Sequence, residues 1–287
     1  MSQKSSTSLS IKKKNSPSAA EYQFEEENVE DKKFICQTTD SYIIKTLIES
    51  IKDLIEDTNL KISKDGIQIL TVDNNKCCII HLHLVPSNFY FYYCETEFQI
   101  GLSLKNLFIL LKTMSNGDVI SLFVLKKTPN RLNIILENKQ KKLRDISDLK
   151  LLDIDQSHYE IPPIQFDSVI KMPSADFQKI CKDLMNIDSV VCIQSKNNIF
   201  SMSVNGSIGK KEIIIQQNQH THVQNNEDKE DFCDTYQLKY LISFVKSTNL
   251  CSNVEIYLKK DKPIVLIYSA GTLGSLKFLL FPFDNSK

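Results

Sequence analysis

Eight lysines recur in four segments of the chain at spacings that place them on one side of a helix. In three segments the pair is seven residues apart, close to two helical turns, and in the fourth it is three apart. The pairs are Lys45 and Lys52, Lys105 and Lys112, Lys179 and Lys182, and Lys239 and Lys246. Rows of ammonium groups attract the phosphates of a nucleic-acid backbone without reading its bases. Exposed lysines also solubilise any amphipathic helix, and repetition in four segments favours the phosphate-facing interpretation.

Other residues that could do chemistry give weaker signals. His81 and His83 lie on one face of a predicted strand, and His220 and His222 lie in a polar loop, but neither pair has a third metal ligand at a recognisable spacing. The segment Asn205–Lys211 lacks the spacing of a phosphate-binding loop and predicts a turn between strands. We find no nucleophile elbow or zinc-protease motif. The sequence therefore predicts a protein that is not an enzyme and needs no metal or cofactor.

The elements that carry the lysines form an internal repeat. Helices are predicted at Ser41–Glu56, Ser103–Met114, Ser174–Met185 and Thr235–Ser247, and each is followed by short strands in which apolar residues alternate with polar ones. Such strands form antiparallel sheets with one buried face. The predicted fold class is α+β, with two similar domains of two helices packed on antiparallel sheets.

Composition sets the domain boundaries. Residues 1–33 are rich in Ser, Lys and Glu and predict a disordered extension, while the paired Pro162 and Pro163 bar a helix and mark a connector at 150–168. The two domains are then 34–149 and 169–287. Lys12, Lys13 and Lys14 form either a nuclear-import patch or simply solvated charge.

Overall charge and cysteine usage limit the function classes. The chain has 35 Lys plus Arg and 35 Asp plus Glu, so any nucleic-acid binding requires the positive charge to be gathered on one surface. No apolar run reaches the roughly 20 residues that cross a bilayer, and no signal peptide is evident. The eight cysteines show no C-x-x-C spacing and predict small core residues in a reducing compartment inside the cell.

Longer segments resemble the eukaryotic DNA sliding clamp, the proliferating cell nuclear antigen family. They are SYIIKTLIESIKDLI, ISKDGIQILTVDNNKCCIIHLHL, FYFYYCETEFQIGLSLKNLFILLK, VIKMPSADFQKICKDL, LKYLISFVKST and GSLKFLLFPF. LLDID followed by EIPP resembles the interdomain connector of that family. The resemblance covers about residues 34 to 284.

The resemblance implies the processivity-clamp fold and a homotrimer that closes into a pseudo-sixfold ring, with helices lining the hole around double-stranded DNA. The joining strands would lie near Lys141–Leu149 and Lys210–Gln217. The lysines that match DNA-facing positions are Lys45, Lys52, Lys112, Lys179, Lys182 and Lys246. Ile109 occupies a site where the family often has lysine.

The resemblance also implies an apolar cleft that receives client proteins through a docking motif with a glutamine and paired aromatics. The matching residues are Val72, Lys76, Tyr159, Ile161, Pro263, Leu279, Phe281 and Pro282. Lys76, Leu279 and Phe281 depart from the family's usual histidine, tyrosine and small residue. Lys196 matches a lysine that the family modifies with ubiquitin or its relatives, although Asn197 and Asn198 replace the usual Asp-Gly.

Three functional hypotheses remain open on the sequence alone. The first is a nuclear replicative clamp whose partners are DNA, a clamp loader, DNA polymerase and other replication and repair proteins, with no membrane involved. The second is a specialised or checkpoint clamp subunit of a heterotrimer. The third is a metal-dependent enzyme that uses His81 and His83.

Overall fold

The computed structural model describes residues 29–115, 117–155, 159, 161–225 and 231–283. Most of the predicted N-terminal extension and the middle of the loop 218–231 lie outside these residues. Within them, no helix is long and apolar enough to cross a membrane.

Four α-helices recur at the predicted places. They are α1 (Ser41–Ile51), α2 (Leu104–Leu111), α3 (Ser174–Met185) and α4 (Leu238–Phe244). Helix α3 has the predicted bounds, whereas the predictions for the other three were too long. The segment after α4, Val245–Leu250, is a 3-10 helix.

The predicted helices were too long where the backbone pairs with a neighbouring strand instead of continuing the helix. Thr235 was predicted to begin a helix, but it pairs with Cys192 in a strand that runs directly into α4. Asp57 pairs with Ser103, so the chain must leave α1 and turn before that position. Helical periodicity continues through these residues because their apolar side chains face the same core in either conformation.

Eighteen strands complete the described fold. The first nine are β1 (Lys32–Thr38), β2 (Asp57–Ser63), β3 (Gly66–Val72), β4 (Cys78–Leu84), β5 (Phe91–Cys94), β6 (Phe98–Ser103), β7 (Val119–Leu125), β8 (Arg131–Asn138) and β9 (Leu143–Lys150). The second nine are β10 (Ser168–Pro173), β11 (Val190–Lys196), β12 (Ile199–Gly206), β13 (Gly209–Gln216), β14 (His222–Asn225), β15 (Phe232–Gln237), β16 (Asn253–Leu258), β17 (Ile264–Ala270) and β18 (Gly274–Leu280).

The strands form three antiparallel sheets, one of which joins the two halves of the chain. The orders are β5-β1-β7-β8-β9, β14-β10-β16-β17-β18-β4-β3-β2-β6 and β13-β12-β11-β15. In the nine-stranded sheet β18 pairs with β4 over its whole length, from Gly274 opposite Leu84 to Leu280 opposite Cys78. The two halves therefore share one continuous sheet.

The core lies between the sheets and the helices. On the inner face of the nine-stranded sheet, Ile80, Phe278 and Leu266 occupy neighbouring strands and are fully buried. Phe244 at the end of α4 stacks on Phe278 with ring centroids 4.3 Å apart. Each buried aromatic of this kind contributes about 1.5–3 kcal/mol through burial, and the stacked pair adds about 0.5–1.5 kcal/mol.

Two sheets end in strands that expose apolar side chains. Strand β9 leaves Ile146 at 66% exposure, and β13 leaves Ile214 at 60%. An unpaired edge that carries exposed isoleucine is a template for pairing with another chain. These edges correspond to the two segments that the sequence predicts as joining strands.

Candidate nucleic-acid interface and docking cleft

The four helices form one layer that carries the predicted lysines. Helix α1 packs against α2 and α4, and α3 packs against α4. Lys52 and Lys112 lie at the C-terminal ends of α1 and α2, and Lys246 lies in the 3-10 segment after α4. The seven-residue spacing of Lys239 and Lys246 is therefore not a spacing along one α-helix.

The lysines of α1 and α2 are largely engaged by neighbouring groups. Lys45 donates hydrogen bonds to the carbonyl oxygens of Lys112 (3.1 Å) and Met114 (3.3 Å), where the charge interacts favourably with the C-terminal end of α2. Lys105 forms an ion pair with Glu56 at 3.0 Å.

Asp53 holds two of the lysines together across the halves of the chain. Its carboxylate receives hydrogen bonds from Lys52 (2.9 Å) and from Lys246 (2.8 Å). The hydrogen bond from Lys246, followed by that from Lys52, lowers the pKa of Asp53, so the carboxylate stays charged and offsets one of the two positive charges. Asp53 is not among the residues that the sequence singles out.

The lysines of α3 and α4 are more open. Lys179 and Lys182 are exposed, and neither forms an ion pair with a residue that the structure describes. Lys239 is exposed, with its ammonium 5.1 Å from the centroid of the Tyr240 ring. Among the predicted lysines, those that are exposed without an ion pair to a described residue are therefore Lys112 in the N-terminal half and Lys179, Lys182 and Lys239 in the C-terminal half.

The connector between the domains is fixed at both ends. At its start, the amide of Leu152 donates a hydrogen bond to the carbonyl oxygen of Gly101 at 2.8 Å. The side chain of Asn59 donates to the carbonyl oxygen of Ile154 at 3.3 Å. A Cβ on Gly101 would collide with the carbonyl oxygen of Leu152. At its end, Phe166 packs on Tyr257 with ring centroids 5.2 Å apart. The described ends of the connector thus lie on the outer face of the nine-stranded sheet.

An apolar row follows that outer face under the connector. Val72 pairs with Ile79, Ile79 with Leu279, and Leu279 with Val265, across four adjacent strands. Leu279 and Val265 are buried although they face away from the core. Pro263, which directly precedes β17, is also buried. In the connector, Ile161 is half-buried and Tyr159 is 42% exposed.

The turn between β3 and β4 forms one wall of this region and is held by Asp73. This carboxylate is buried and accepts hydrogen bonds from the amides of Cys77 (2.6 Å), Cys78 (2.7 Å) and Asn75 (3.1 Å). It also accepts the hydroxyl of Tyr240 on α4 at 3.1 Å. Lys76 at the tip is exposed in the left-handed conformation, with φ 58°. Helix α4, which carries Lys239, is therefore hydrogen-bonded directly to the turn that carries Lys76.

The C-terminal segment forms another part of the wall. Phe281 donates its amide to the carbonyl of Cys77 at 3.0 Å, and Phe283 exchanges hydrogen bonds with Thr235 at 2.7 and 3.0 Å. Phe281 is 42% exposed and Pro282 is half-buried. An exposed aromatic beside an apolar row suits contact with a partner that brings apolar anchors.

Comparison with known proteins divides the chain into two domains. Residues 33–159 match the family model for the proliferating cell nuclear antigen N-terminal domain, and residues 160–283 match that for its C-terminal domain. This chain belongs to the proliferating cell nuclear antigen family. The boundary between the two models falls within the connector.

Curated relatives of the clamp family match over most of their own length. The chain is 32% identical over 253 residues to a probable DNA polymerase sliding clamp 1 of Paramecium bursaria Chlorella virus 1, covering 87% of this chain and 96% of the relative. It is 31% identical to proliferating cell nuclear antigen of Chaetomium thermophilum, covering 84% and 94%, and 31% identical to that of Dictyostelium discoideum, covering 84% and 95%.

Two remaining predicted sites are now placed in this clamp fold. Lys196 ends β11 and forms an exposed ion pair with Asp231 at 2.5 Å. His81 and His83 stack on the outer face of β4, and burial, with smaller effects of Lys277 and His83, lowers the pKa of His81 to about 4. Within the described residues, no three His, Cys, Asp or Glu side chains are grouped so that they could hold a metal ion.

Like Asp53, Asp73 and Tyr240 are site residues that sequence reasoning missed. Their signal was present: an aspartate followed by two asparagines at a hairpin is typical of a side chain that bonds to the backbone of its own turn. The partner on α4 is 167 residues away along the chain, and nothing in either segment indicates that they meet.

Proposed function

We propose that this chain is a DNA sliding clamp, a processivity factor that encircles double-stranded DNA and tethers DNA polymerase and other replication and repair proteins to it. The observation that carries this proposal is the single layer of four lysine-bearing helices in a chain that belongs to the clamp family. Phosphate contacts of this kind are independent of sequence and weak enough individually to allow sliding.

Ring closure follows from the two free edges. Strand β9 of one subunit adds antiparallel to β13 of the next, which covers Ile146 and Ile214. The groove of about 430 Å³ beside β13 is lined in part by Asp176 and Asp183 together with Lys179, and the turn that leads into β9 carries the exposed Lys141 and Lys142. Opposite charges on the two surfaces support head-to-tail joining, and three copies with two similar domains each give a pseudo-sixfold homotrimer.

Client proteins dock in the cleft under the connector. The apolar row that includes Leu279, together with exposed Phe281, accepts the aromatic anchors of a short peptide, while Lys76 and Tyr159 lie at its polar margin. Leu279 replaces the family's usual tyrosine, and Phe281 replaces its usual small residue. These two differences narrow the range of anchor side chains that the cleft accepts. Lys196, whose ion pair with Asp231 is exposed, remains accessible for modification.

In this role the chain has no catalytic activity and works in the nucleus beside a clamp loader. Its contribution is topological, because a closed ring stays on DNA even when each phosphate contact is weak. No cofactor enters the proposal.

The test is the length of polymerase products on primed circular DNA, measured with clamp loader present and with or without this protein. Products should lengthen in its presence. The variant Ile214→Asp should abolish the effect and reduce the mass in light scattering from that of three chains to that of one. Ile109→Asp places the same change at an isoleucine that is 63% exposed on a helix, away from the edge, and should keep the trimer. A trimeric wild-type protein that leaves product length unchanged would refute the replicative role.

A further inference from the structure

Two cysteine thiols lie in contact on the outer face of the four-stranded sheet. The sulfur of Cys192 on β11 is 3.6 Å from the sulfur of Cys233 on β15. Both residues point away from the core, because their neighbours Ile193 and Phe232 are buried. Cys233 is exposed and Cys192 is half-buried, so small molecules in solution can reach the pair.

The surroundings of the pair are polar. Gln194 directs its amide nitrogen toward both sulfurs, 3.4 Å from Cys233 and 3.7 Å from Cys192. Four other cysteines, Cys36, Cys78, Cys94 and Cys181, are buried in the core, as the sequence predicts for all eight. That prediction is wrong for Cys233, which has the exposure expected of a reactive thiol.

We propose that Cys192 and Cys233 form a redox-active dithiol that closes to a disulfide in the presence of hydroperoxides. The thiolate of Cys233 attacks the peroxide O–O bond, which gives a sulfenic acid and releases one molecule of water or alcohol. The sulfur of Cys192 then attacks the sulfenic sulfur and forms the S–S bond, while the sulfenic hydroxyl group leaves with the proton of the Cys192 thiol as one molecule of water. Two thiols are oxidised by two electrons while one peroxide is reduced.

The two cysteines differ in a way that assigns these roles. Cys233 is the more exposed and meets the oxidant first. Burial, followed by the neighbouring Cys233, raises the pKa of Cys192 to about 11, so Cys192 remains protonated at neutral pH and acts second.

The register of the strands predicts a strained and therefore reversible bond. Cys192 lies opposite Thr235 and Cys233 lies opposite Gln194, so the two cysteines are diagonal neighbours. Diagonal positions have Cα atoms about 7–8 Å apart, whereas a relaxed disulfide needs about 4.4–6.8 Å. Closure must shift β15 against β11, and a bond of this kind is readily reduced.

That shift reaches the docking cleft through Thr235. This residue lies opposite Cys192 and holds Phe283 through two hydrogen bonds, so it anchors the segment that carries Phe281 and Pro282. Oxidation should therefore loosen the C-terminal segment.

The test is peptide mass spectrometry of the full chain after a brief treatment with hydrogen peroxide, with free thiols blocked before digestion. We expect a linked peptide pair that contains Cys192 and Cys233, lighter by two hydrogen atoms and lost on reduction with dithiothreitol. Cys192→Ser should abolish the linked pair and leave a sulfenic acid on Cys233 that a dimedone probe captures. Cys251→Ser, at another half-buried cysteine outside the pair, should give the same linked pair as wild type.

Amide hydrogen exchange on the same samples tests the link to the cleft. Exchange at Phe283 should accelerate on oxidation of wild type and of Cys251→Ser, and should not change in Cys192→Ser. Absence of the linked peptide, or its formation only between two chains, would overturn the dithiol. An oxidised protein with unchanged exchange at Phe283 would overturn the coupling.

Discussion

The two halves of the chain present the same helices but hold their lysines differently. In the N-terminal half, Lys45 is bonded to carbonyls at the end of α2, Lys52 shares Asp53 with Lys246, and Lys105 is paired with Glu56. In the C-terminal half, Lys179 and Lys182 are exposed without an ion pair among the described residues. The repeat of the fold thus preserves the positions of the helices, while more of the exposed lysines without an ion pair among the described residues lie in the C-terminal half (Lys179, Lys182 and Lys239) than in the N-terminal half (Lys112).

The halves also differ in what fixes their helices. Helix α4 is bonded through Tyr240 to Asp73 of the N-terminal half, close to the docking cleft. The Tyr240 hydroxyl also accepts a hydrogen bond from Asn75 at 3.3 Å, so helix α4 is joined by two side-chain hydrogen bonds to the turn that borders the proposed docking cleft.

Removal of Asp73 should have the largest effect. Asp73→Ala leaves three backbone amides and the Tyr240 hydroxyl without their acceptor, which we expect to cost about 3 kcal/mol in the free energy of unfolding. Tyr240→Phe removes the hydrogen bonds of its hydroxyl with Asp73 and Asn75 but keeps the backbone bonds of the turn, and it should cost about 1–2 kcal/mol. Urea unfolding at one fixed protein concentration measures both.

The control for that comparison is Tyr257→Phe, which removes a hydroxyl bonded at 2.8 Å to Glu255 within the C-terminal half. It should cost less than Tyr240→Phe, because the Glu255 bond is closer to solvent. Equal costs for the two tyrosines would show that the bond between the halves has no special role.

Loss of the open lysines should have the next largest effect. The Lys179→Ala/Lys182→Ala variant should lower the slope of log affinity for duplex DNA against log salt by about two, with roughly tenfold weaker binding at low salt. Lys52→Ala/Lys105→Ala should lower the slope by less than about one, because Asp53 and Glu56 already offset those charges. Fluorescence anisotropy across a salt series measures both. If the two double variants lose the same amount, the proposed asymmetry between the halves is wrong.

Release of the paired lysines should have a smaller effect of opposite sign. Asp53→Asn frees Lys52 and Lys246 to contact phosphate, and DNA affinity should rise roughly twofold to fivefold at low salt. Asp57→Asn makes the same charge change at an exposed aspartate nearby and should have less effect.

The same carboxylate gives a weak pH dependence of stability. Because the folded-state pKa of Asp53 is lowered from its usual 3.8, its contribution is present above about pH 4 and is lost as pH falls through the lowered value. The pair is exposed and screened, so the difference between wild type and Asp53→Asn in unfolding free energy should be below about 1 kcal/mol. A large loss of stability at neutral pH in this variant would contradict the assignment of Asp53 as a surface charge.

Sequence reasoning recovered the repeated elements because each depends on local periodicity. Helix α3 was predicted with its correct bounds, because its periodic apolar residues stop just before the polar Asn186. The start of α4 was wrong, because the pairing of β15 with β11 is a long-range property that periodicity does not report.

The charges were harder to predict than the helices. A lysine at helical spacing can be located in the sequence, but its effective charge depends on partners such as Asp53 and the end of α2, which meet it only in the folded chain. For the same reason the contact of Cys192 with Cys233, 41 residues apart, could not be inferred from cysteine spacing.

The most direct test of the clamp is whether its hold on DNA depends on the DNA being closed. The protein should be loaded onto nicked circular DNA and washed with high salt, and the circle should then be cut with a restriction enzyme while the bound fraction is followed by gel filtration. A ring that encircles the duplex stays on the circle in high salt and leaves as soon as the circle is made linear. Protein that washes off the intact circle in high salt, or that remains on the linear DNA to the same extent, would contradict encirclement.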